Sequence, residues 1–174
     1  DADPDIAAHV KKLVIMGGAV NCTGNVTAYA EANIWNDPDA AEMVFAADWQ
    51  VELIGLDVTS HITCNADDFQ QIASTAPIIG GFLKTITAFY NNFYHSIMSR
   101  HVCLLHDPAA LVSVTNPSAF GYEDIPLNVI TQGEHIGATR PTHQRRPVKV
   151  ATSVDAETVK KIFLDICGQC DRIN

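Results

Sequence analysis

Four short runs of nearly uninterrupted apolar residues constrain this chain more than any other feature: Leu13–Met16 and residues 51–58, 127–130 and 148–154. A strand with one wet face alternates apolar and polar side chains. A run without alternation reads as a strand buried on both faces, the signature of a parallel sheet covered by helices. Helical patterns lie between the runs. Asn36-Asp37-Pro38 opens one, with capping side chains and a proline suited to a first turn, and Ala40, Ala41, Val44 and Phe45 share a side of it. Asn65 or Asp67 starts another. Residues 78–98 form the longest, with Phe82, Ile86, Phe89, Phe93 and Ile97 spaced three and four apart. The aromatics Phe89, Tyr90, Phe93 and Tyr94 within it are helically spaced and read as mostly core. Asp107 and Pro108 open a short apolar helix through Val114. Asp155 caps a last helix that turns Val159, Ile162, Phe163 and Ile166 inward. Apolar strands alternating with helices predict an α/β fold with a mainly parallel, Rossmann-like open sheet and helices on both faces. No repeat or linker interrupts the chain, so it reads as one unit. In such sheets ligands bind at the carboxyl ends of the strands, which directs attention to the segment after Met16 and to the surroundings of His106.

Composition removes several functional classes. With 47% hydrophobic and 18% charged residues the chain is too apolar to be a disordered tail. No apolar run reaches the ~18 residues of a membrane span. A formal net charge of −9 disfavours nucleic-acid backbones and anionic membrane surfaces as partners. The five cysteines are an odd number in apolar surroundings, as expected of reduced thiols in a cytoplasmic protein. Cys167-Gly-Gln-Cys170 has a redox or zinc spacing. It falls at the end of the last helix, however, where the dipole opposes a thiolate, and a second pair of zinc ligands is not evident. Residues 1–6 are acidic, without the basic and apolar regions of a secretory leader.

Five groups of residues are candidates for chemistry, the first four each with a structural alternative. The segment 17–36 concentrates Asn21, Asn25, Thr27, Glu31, Asn33 and Asn36. Carboxylates and carboxamides near a strand end can grip the hydroxyls of a sugar; the same residues also serve as turn formers and caps. His106-Asp107-Pro108 joins a candidate acid or base to a hard oxygen ligand for a cation, or else Asp107 caps its helix beside a half-buried His106. Asp1-Ala2-Asp3-Pro4-Asp5 resembles a metal loop, and equally an acidic cap on a short helix within residues 6–12. Arg140, Arg145 and Arg146 with His135 and His143 form the basic cluster, which holds an anion or lies in an exposed loop. Tyr90 and Tyr94, one helical turn apart, can line one side of a pocket with their hydroxyls.

Taken together, the motifs resemble the nucleoside hydrolase family, the inosine–uridine type ribonucleoside N-ribohydrolases. The resemblance runs in order through Val14-Ile15-Met16-Gly17-Gly18, Gly24-Asn25, Ala30-Glu31-Ala32-Asn33-Ile34, Asp37-Pro38-Asp39-Ala40-Ala41, Gly55-Leu56-Asp57-Val58-Thr59 and His106-Asp107-Pro108. It implies the nucleoside hydrolase fold in incomplete form. It also implies hydrolysis of the N-glycosidic bond of ribonucleosides, giving ribose and free base with the assistance of Ca2+. By the same resemblance Asp107 is a calcium ligand, and Asn25, Glu31 and Asn33 bind the ribose hydroxyls. Met16 lines the ribose site, His106 assists departure of the base, and Tyr90 and Tyr94 stand near that base.

Two departures qualify the resemblance. The family's amino-terminal signature, Asp-x-Asp-Pro-Gly-x-Asp-Asp, supplies most of its calcium carboxylates and the general base. In residues 1–8 Asp5 stands at the glycine and Ala7-Ala8 at the paired aspartates, so no calcium ligation is assigned there. Ala32 stands where many members carry phenylalanine, which would enlarge the pocket. The expectation is that residues 1–174 form the carboxyl-terminal portion of a single nucleoside hydrolase domain. That portion would associate with copies of itself or with the amino-terminal part. A non-catalytic ribose- or nucleoside-binding fragment is the alternative.

Overall fold

The computed structural model describes residues 5–172, with the side chains of residues 97, 98 and 172 excepted; the acidic run at residues 1–4 lies outside it. The elements in chain order are α1 (Ile6–His9), β1 (Leu13–Met16), α2 (Ala32–Asn36), α3 (Pro38–Ala46), β2 (Val51–Ile54), α4 (Leu56–Thr59), β3 (Thr63–Cys64), α5 (Ala66–Thr75), α6 (Pro77–Met98), β4 (Cys103–Leu104), α7 (His106–Thr115), β5 (Phe120–Val129), β6 (Thr139–Pro141), β7 (Pro147–Val154) and α8 (Ala156–Cys167). Five strands form one sheet in the order β1-β2-β7-β5-β6, while β3 and β4 make a separate antiparallel pair.

The α/β architecture is the one expected, and the sheet is mixed. β1, β2 and β7 run parallel, with Leu13 opposite Val51 and Leu53 opposite Val150. β5 then pairs antiparallel with β7, and β6 with β5. The parallel part carries the unalternating apolar sequences, because both of its faces are covered. Ile54 and Ala151 pack on one face beneath α4, α5, α7 and α8. Leu53, Val148 and Val150 pack on the other, against Phe45 of α3 and Ile34 of α2. Side-chain caps set several helix starts: Glu31 for α2, Asp37 for α3, Asn65 with Asp68 as a capping box for α5, and Asp155 for α8.

Three expectations change in detail. The run at 51–58 is not one strand: β2 ends at Ile54, and Gly55 turns the chain into α4. β5 begins at Phe120, seven residues before its apolar run, because backbone pairing with β7 holds a first half whose side chains are largely half-wet. The aromatics of α6 are not core. Phe89, Tyr90 and Phe93 are 73%, 50% and 46% exposed, and α6 buries a different face, with Ile79 and Leu83 against α5 and the core beneath it.

At the amino-terminal ends of the parallel strands a carboxylate lies on the sheet. Glu52 accepts hydrogen bonds from Lys12 Nζ at 3.0 Å and Lys149 Nζ at 2.9 Å, and Lys149 Nζ stands 4.3 Å from the Tyr122 ring centroid. Burial alone would raise the Glu52 carboxyl. The bonds from Lys149 and Lys12 together outweigh it and hold the group below the usual glutamate range. A depressed carboxyl contributes stability above its unfolded value, and that stability is lost as pH falls through the folded one. Glu52→Gln should therefore cost about 1–2 kcal/mol at pH 7, less than a wholly buried pair because both lysines reach solvent. The same substitution should flatten the decline in stability below about pH 4.5, read from urea midpoints measured across the acid range.

Candidate active site

The site grows from the carboxyl ends of β1 and β2. After Met16 the chain turns at Gly17-Gly18, and Gly18 holds φ at +79°, a left-handed conformation natural to glycine. The Gly18 carbonyl accepts from the Leu56 N–H at 2.9 Å, tying this turn to the start of α4. Asp57 on α4 completes the tie: its carboxylate accepts from the N–H groups of Val20 at 3.0 Å and Asn21 at 2.7 Å. The neighbouring Cys22 thiol is pushed up to about 12, by burial first and then by Asp57, so it stays protonated.

Glu31 is the hub of this loop. It is buried, and its carboxylate accepts three backbone N–H groups: Asn33 on Oε1 at 2.9 Å, and Gly18 at 3.0 Å and Ile34 at 3.2 Å on Oε2. A carboxylate has roughly four acceptor positions, so about one remains for a ligand hydroxyl. Asn25 is fixed in the same way, its Oδ1 accepting from the Ala32 N–H at 2.9 Å while its amide nitrogen stays available. Gly24 beside it lies so close to Ala30 that a Cβ there would come within 2.2 Å of the Ala30 carbonyl oxygen. Asn33 reaches back to β1, its Nδ2 donating to the Met16 carbonyl at 3.3 Å and touching Met16 Sδ at 3.3 Å.

Across the loop lies a cleft of about 660 Å3, a size typical of small-molecule sites. Asn25, Ala32, Leu56, Tyr90, Tyr94 and His106 are in its wall. His106, the first residue of α7, is held at both ring nitrogens: Nδ1 lies 2.8 Å from Thr59 Oγ1 and Nε2 lies 3.3 Å from the Tyr94 hydroxyl. Burial lowers its pKa below the ordinary histidine value, against the smaller upward pull of Glu31 and Asp107, so the ring is neutral near pH 7. Burial raises the Tyr94 phenol, with Cys103 and Tyr90 adding to it, so that hydroxyl remains a donor. The Tyr90 and Tyr94 rings lie 6.3 Å apart and nearly parallel, forming one wall.

The structure thus brings Asn25, Tyr90, Tyr94 and His106 around one cleft. Met16 and Asn33 line a second, apolar groove of about 340 Å3 along β1, and Glu31, buried, lines neither. Asp107 is exposed in the first turn of α7, where Leu105 is the N-cap and no side chain caps, so its carboxylate is not spent on capping. Thr59 joins the site as a partner of His106 that sequence reasoning does not single out. It is fully buried, and only the rule that strand ends carry ligands, applied to β2, points to it. The basic cluster is structural: Arg145 pairs with Glu42, Arg146 with Asp48, and Arg140 lies over the Tyr29 ring. Cys167 and Cys170 are free thiols at the end of α8.

The sequence profile of the inosine-uridine preferring nucleoside hydrolase family matches residues 1–161. The chain belongs to this family. Among relatives, a probable uridine nucleosidase 1 of Oryza sativa subsp. japonica is 31% identical over 169 residues, covering 90% of this chain and 52% of the relative. An inosine-uridine preferring nucleoside hydrolase of Crithidia fasciculata is 32% identical over 171 residues, covering 94% of this chain and 53% of the relative. A solved purine-preferring ribonucleoside hydrolase from Gardnerella vaginalis superposes with a TM-score of 0.92 at 31% identity, covering 99% of this chain and 57% of that structure. The chain spans about half the length of the curated nucleoside hydrolases it matches.

Glu31 supplies the sharpest structural test of the loop. Glu31→Gln puts an amide donor against backbone donors and removes a charge-assisted acceptor, so it should destabilise the fold by about 2–3 kcal/mol. Hydrogen exchange should show lost protection at the Gly18 and Ile34 amides, while amides in α8 change little.

Proposed function

We propose that this chain carries the leaving-group and ribose-binding side of a ribonucleoside N-glycosidase, and that the whole protein hydrolyses ribonucleosides to ribose and free base. One observation carries the reading: a neutral His106 faces a cleft between Thr59 and Tyr94, at the strand ends of a nucleoside hydrolase sheet. With the Thr59 hydroxyl donating to Nδ1, the imidazole proton sits on Nε2, on the Tyr94 side. From there His106, with the Tyr94 hydroxyl beside it, can donate a hydrogen bond to the departing base and so stabilise the charge that develops on it. Tyr90 and Tyr94 offer ring faces to that base. Asn25, Asn33 and the remaining acceptor of Glu31 are proposed to hold the ribose hydroxyls, with Met16 beneath the sugar. Hydroxyl contacts that tighten as the sugar becomes oxocarbenium-like lower the barrier. Ala32 in the cleft wall leaves room that a larger side chain would fill.

Nucleoside hydrolases are metal-dependent, and the cation proposed for the whole protein is Ca2+ with Asp107 as a ligand. Calcium takes six to eight oxygens. Among the described residues no three His, Cys, Asp or Glu side chains come together as a metal site. One exposed carboxylate does not make that shell, so the hydrogen-bond steps assigned to this chain run through its own side chains. We propose that the remaining oxygens come from an amino-terminal portion of the same domain. The sheet supports this: β1 pairs with β2 alone among the described strands, leaving one edge of a parallel sheet uncovered beside an apolar groove. No helix of the described residues is long and apolar enough to cross a membrane. A cytoplasmic setting fits the free cysteines, buried Cys64 and Cys103 among them.

Release of base from uridine and inosine by the full-length protein tests the proposal. Turnover should be lost on chelation and restored by calcium. His106→Ala should lower kcat by about 10²–10³-fold while ribose affinity is retained. Asp107→Ala should abolish calcium binding measured by calorimetry. Nucleoside binding without turnover in the full-length protein favours the binding-module alternative, and calcium affinity unchanged in Asp107→Ala refutes the metal assignment.

A further inference from the structure

Thr59 meets the His106 ring from behind. It ends α4, is fully buried, and is not in the cleft wall, where its neighbours Leu56 and Ser60 are. A threonine on a helix commonly gives its hydroxyl proton to a backbone carbonyl three or four residues earlier. Thr85, Thr87 and Thr115 do so at 2.9, 2.6 and 3.2 Å. Thr59 makes no such bond. Among the described residues the one hydrogen-bond partner of its hydroxyl is His106 Nδ1, at 2.8 Å. A buried hydroxyl has a proton to give and needs an acceptor for it. An unprotonated Nδ1 is that acceptor. The opposite arrangement, Nδ1–H donating to Oγ1, would leave the hydroxyl proton buried with nothing to receive it. The ring hydrogen therefore belongs on Nε2.

The two ring contacts are unequal. The bond to Thr59 has full hydrogen-bond length, whereas the Tyr94 hydroxyl lies 3.3 Å from Nε2, beyond the usual range. The ring is held tightly at the back and loosely in front, so an acceptor on a ligand can take the Nε2 hydrogen without breaking a strong bond. The backbone fixes the rear contact. Leu105 N–H donates to the Ile62 carbonyl at 2.9 Å, and Ile62 N–H to the Thr59 carbonyl at 3.2 Å, so the end of α4 and the start of α7 are tied together beside the pair.

We propose that Thr59 is the positioning residue that sets the tautomer of His106, keeping its hydrogen on Nε2 toward the leaving base. The inference rests on the reading of His106 as the group that faces that base. It adds that a hydroxyl outside the cleft decides what the ring presents there. With the hydrogen on Nδ1, Nε2 would turn a lone pair toward a base that gains electrons as its bond to the sugar breaks, and would oppose its departure.

Nitrogen-15 NMR of the full-length protein at neutral pH reads the tautomer without turnover, with the His106 signals assigned by their absence from His106→Ala. Nδ1 should be unprotonated and Nε2 protonated. Thr59→Val should shift hydrogen toward Nδ1, and Thr59→Ser should keep the wild-type pattern. In kinetics, Thr59→Val should lower kcat for inosine about tenfold to a hundredfold with KM little changed, and Thr59→Ser should stay within about threefold of wild type. Turnover of 4-nitrophenyl riboside, whose leaving group is stable as an anion and needs no donor, should fall less than about twofold in Thr59→Val. A proton on Nδ1 of the wild-type ring overturns the proposal, whether or not the protein hydrolyses nucleosides. Unchanged inosine turnover in Thr59→Val also overturns it. So does a loss shared equally by both substrates, or one that serine does not repair, because Thr59 is then a packing residue. Wild-type protein that hydrolyses neither substrate refutes the proposed function instead, and the tautomer measurement then decides the role of Thr59.

Discussion

The arrangement depends on one buried carboxylate. The chain leaving β1 has no regular structure until α2, and a segment of that length near a strand end would normally wander. Glu31 prevents this by accepting N–H groups from Gly18 at its beginning and from Asn33 and Ile34 at its end. Charge-assisted bonds of this kind are worth about twice a neutral one, and leaving such a buried carboxylate without them would be costly. The same carboxylate fixes where Asn33 stands by accepting its N–H, and Asn25 is held beside it through its own bond from the Ala32 N–H. A residue that reads as a ligand for a sugar is thus first a structural clamp. The two roles share one set of lone pairs, and the clamp takes about three of the four.

Much of this is legible in the sequence, for identifiable reasons. β1, α3, α5 and α8 announce themselves through an apolar run or a cap, both local signals. The caps at Asp37, Asn65 and Asp155 form where the sequence places them. β6 and the β3–β4 pair escape a sequence reading because strands of two or three residues have no period to detect. The run after Val51 reads too long because apolar content alone does not distinguish a buried strand from the buried turn of helix that follows Gly55. In the site, helical spacing brings Tyr90 and Tyr94 together. Thr59 reaches His106 from 47 residues away, and nothing local in either stretch records that contact.

The α6 stripe shows where periodicity misleads. Apolar residues at helical spacing report that one face of a helix avoids water, and they do not say what covers it. α6 has two such faces: one packs on α5 and the core, the other faces outward. A second apolar face on the same helix costs solubility unless something covers it.

The two grooves beside the loop that Glu31 clamps differ in lining. One is walled by Tyr90 and Tyr94 with a neutral imidazole between hydroxyl partners; the other runs along β1 past Asn33 and Met16. Under the proposed function the first takes the flat base, and the sugar hydroxyls lie toward Asn25, Glu31 and Asn33. The neutrality of His106 matters to this division. A permanently charged imidazolium in a half-buried cleft would carry a desolvation penalty, whereas a neutral ring tied to Thr59 and Tyr94 can sit there at little cost and still offer a hydrogen on Nε2. What the described residues do not gather is a set of carboxylates for a calcium shell. Under the proposed function, the uncovered edge of β1 is where further strands would complete the sheet, and the same added portion would bring the oxygens that Asp107 lacks.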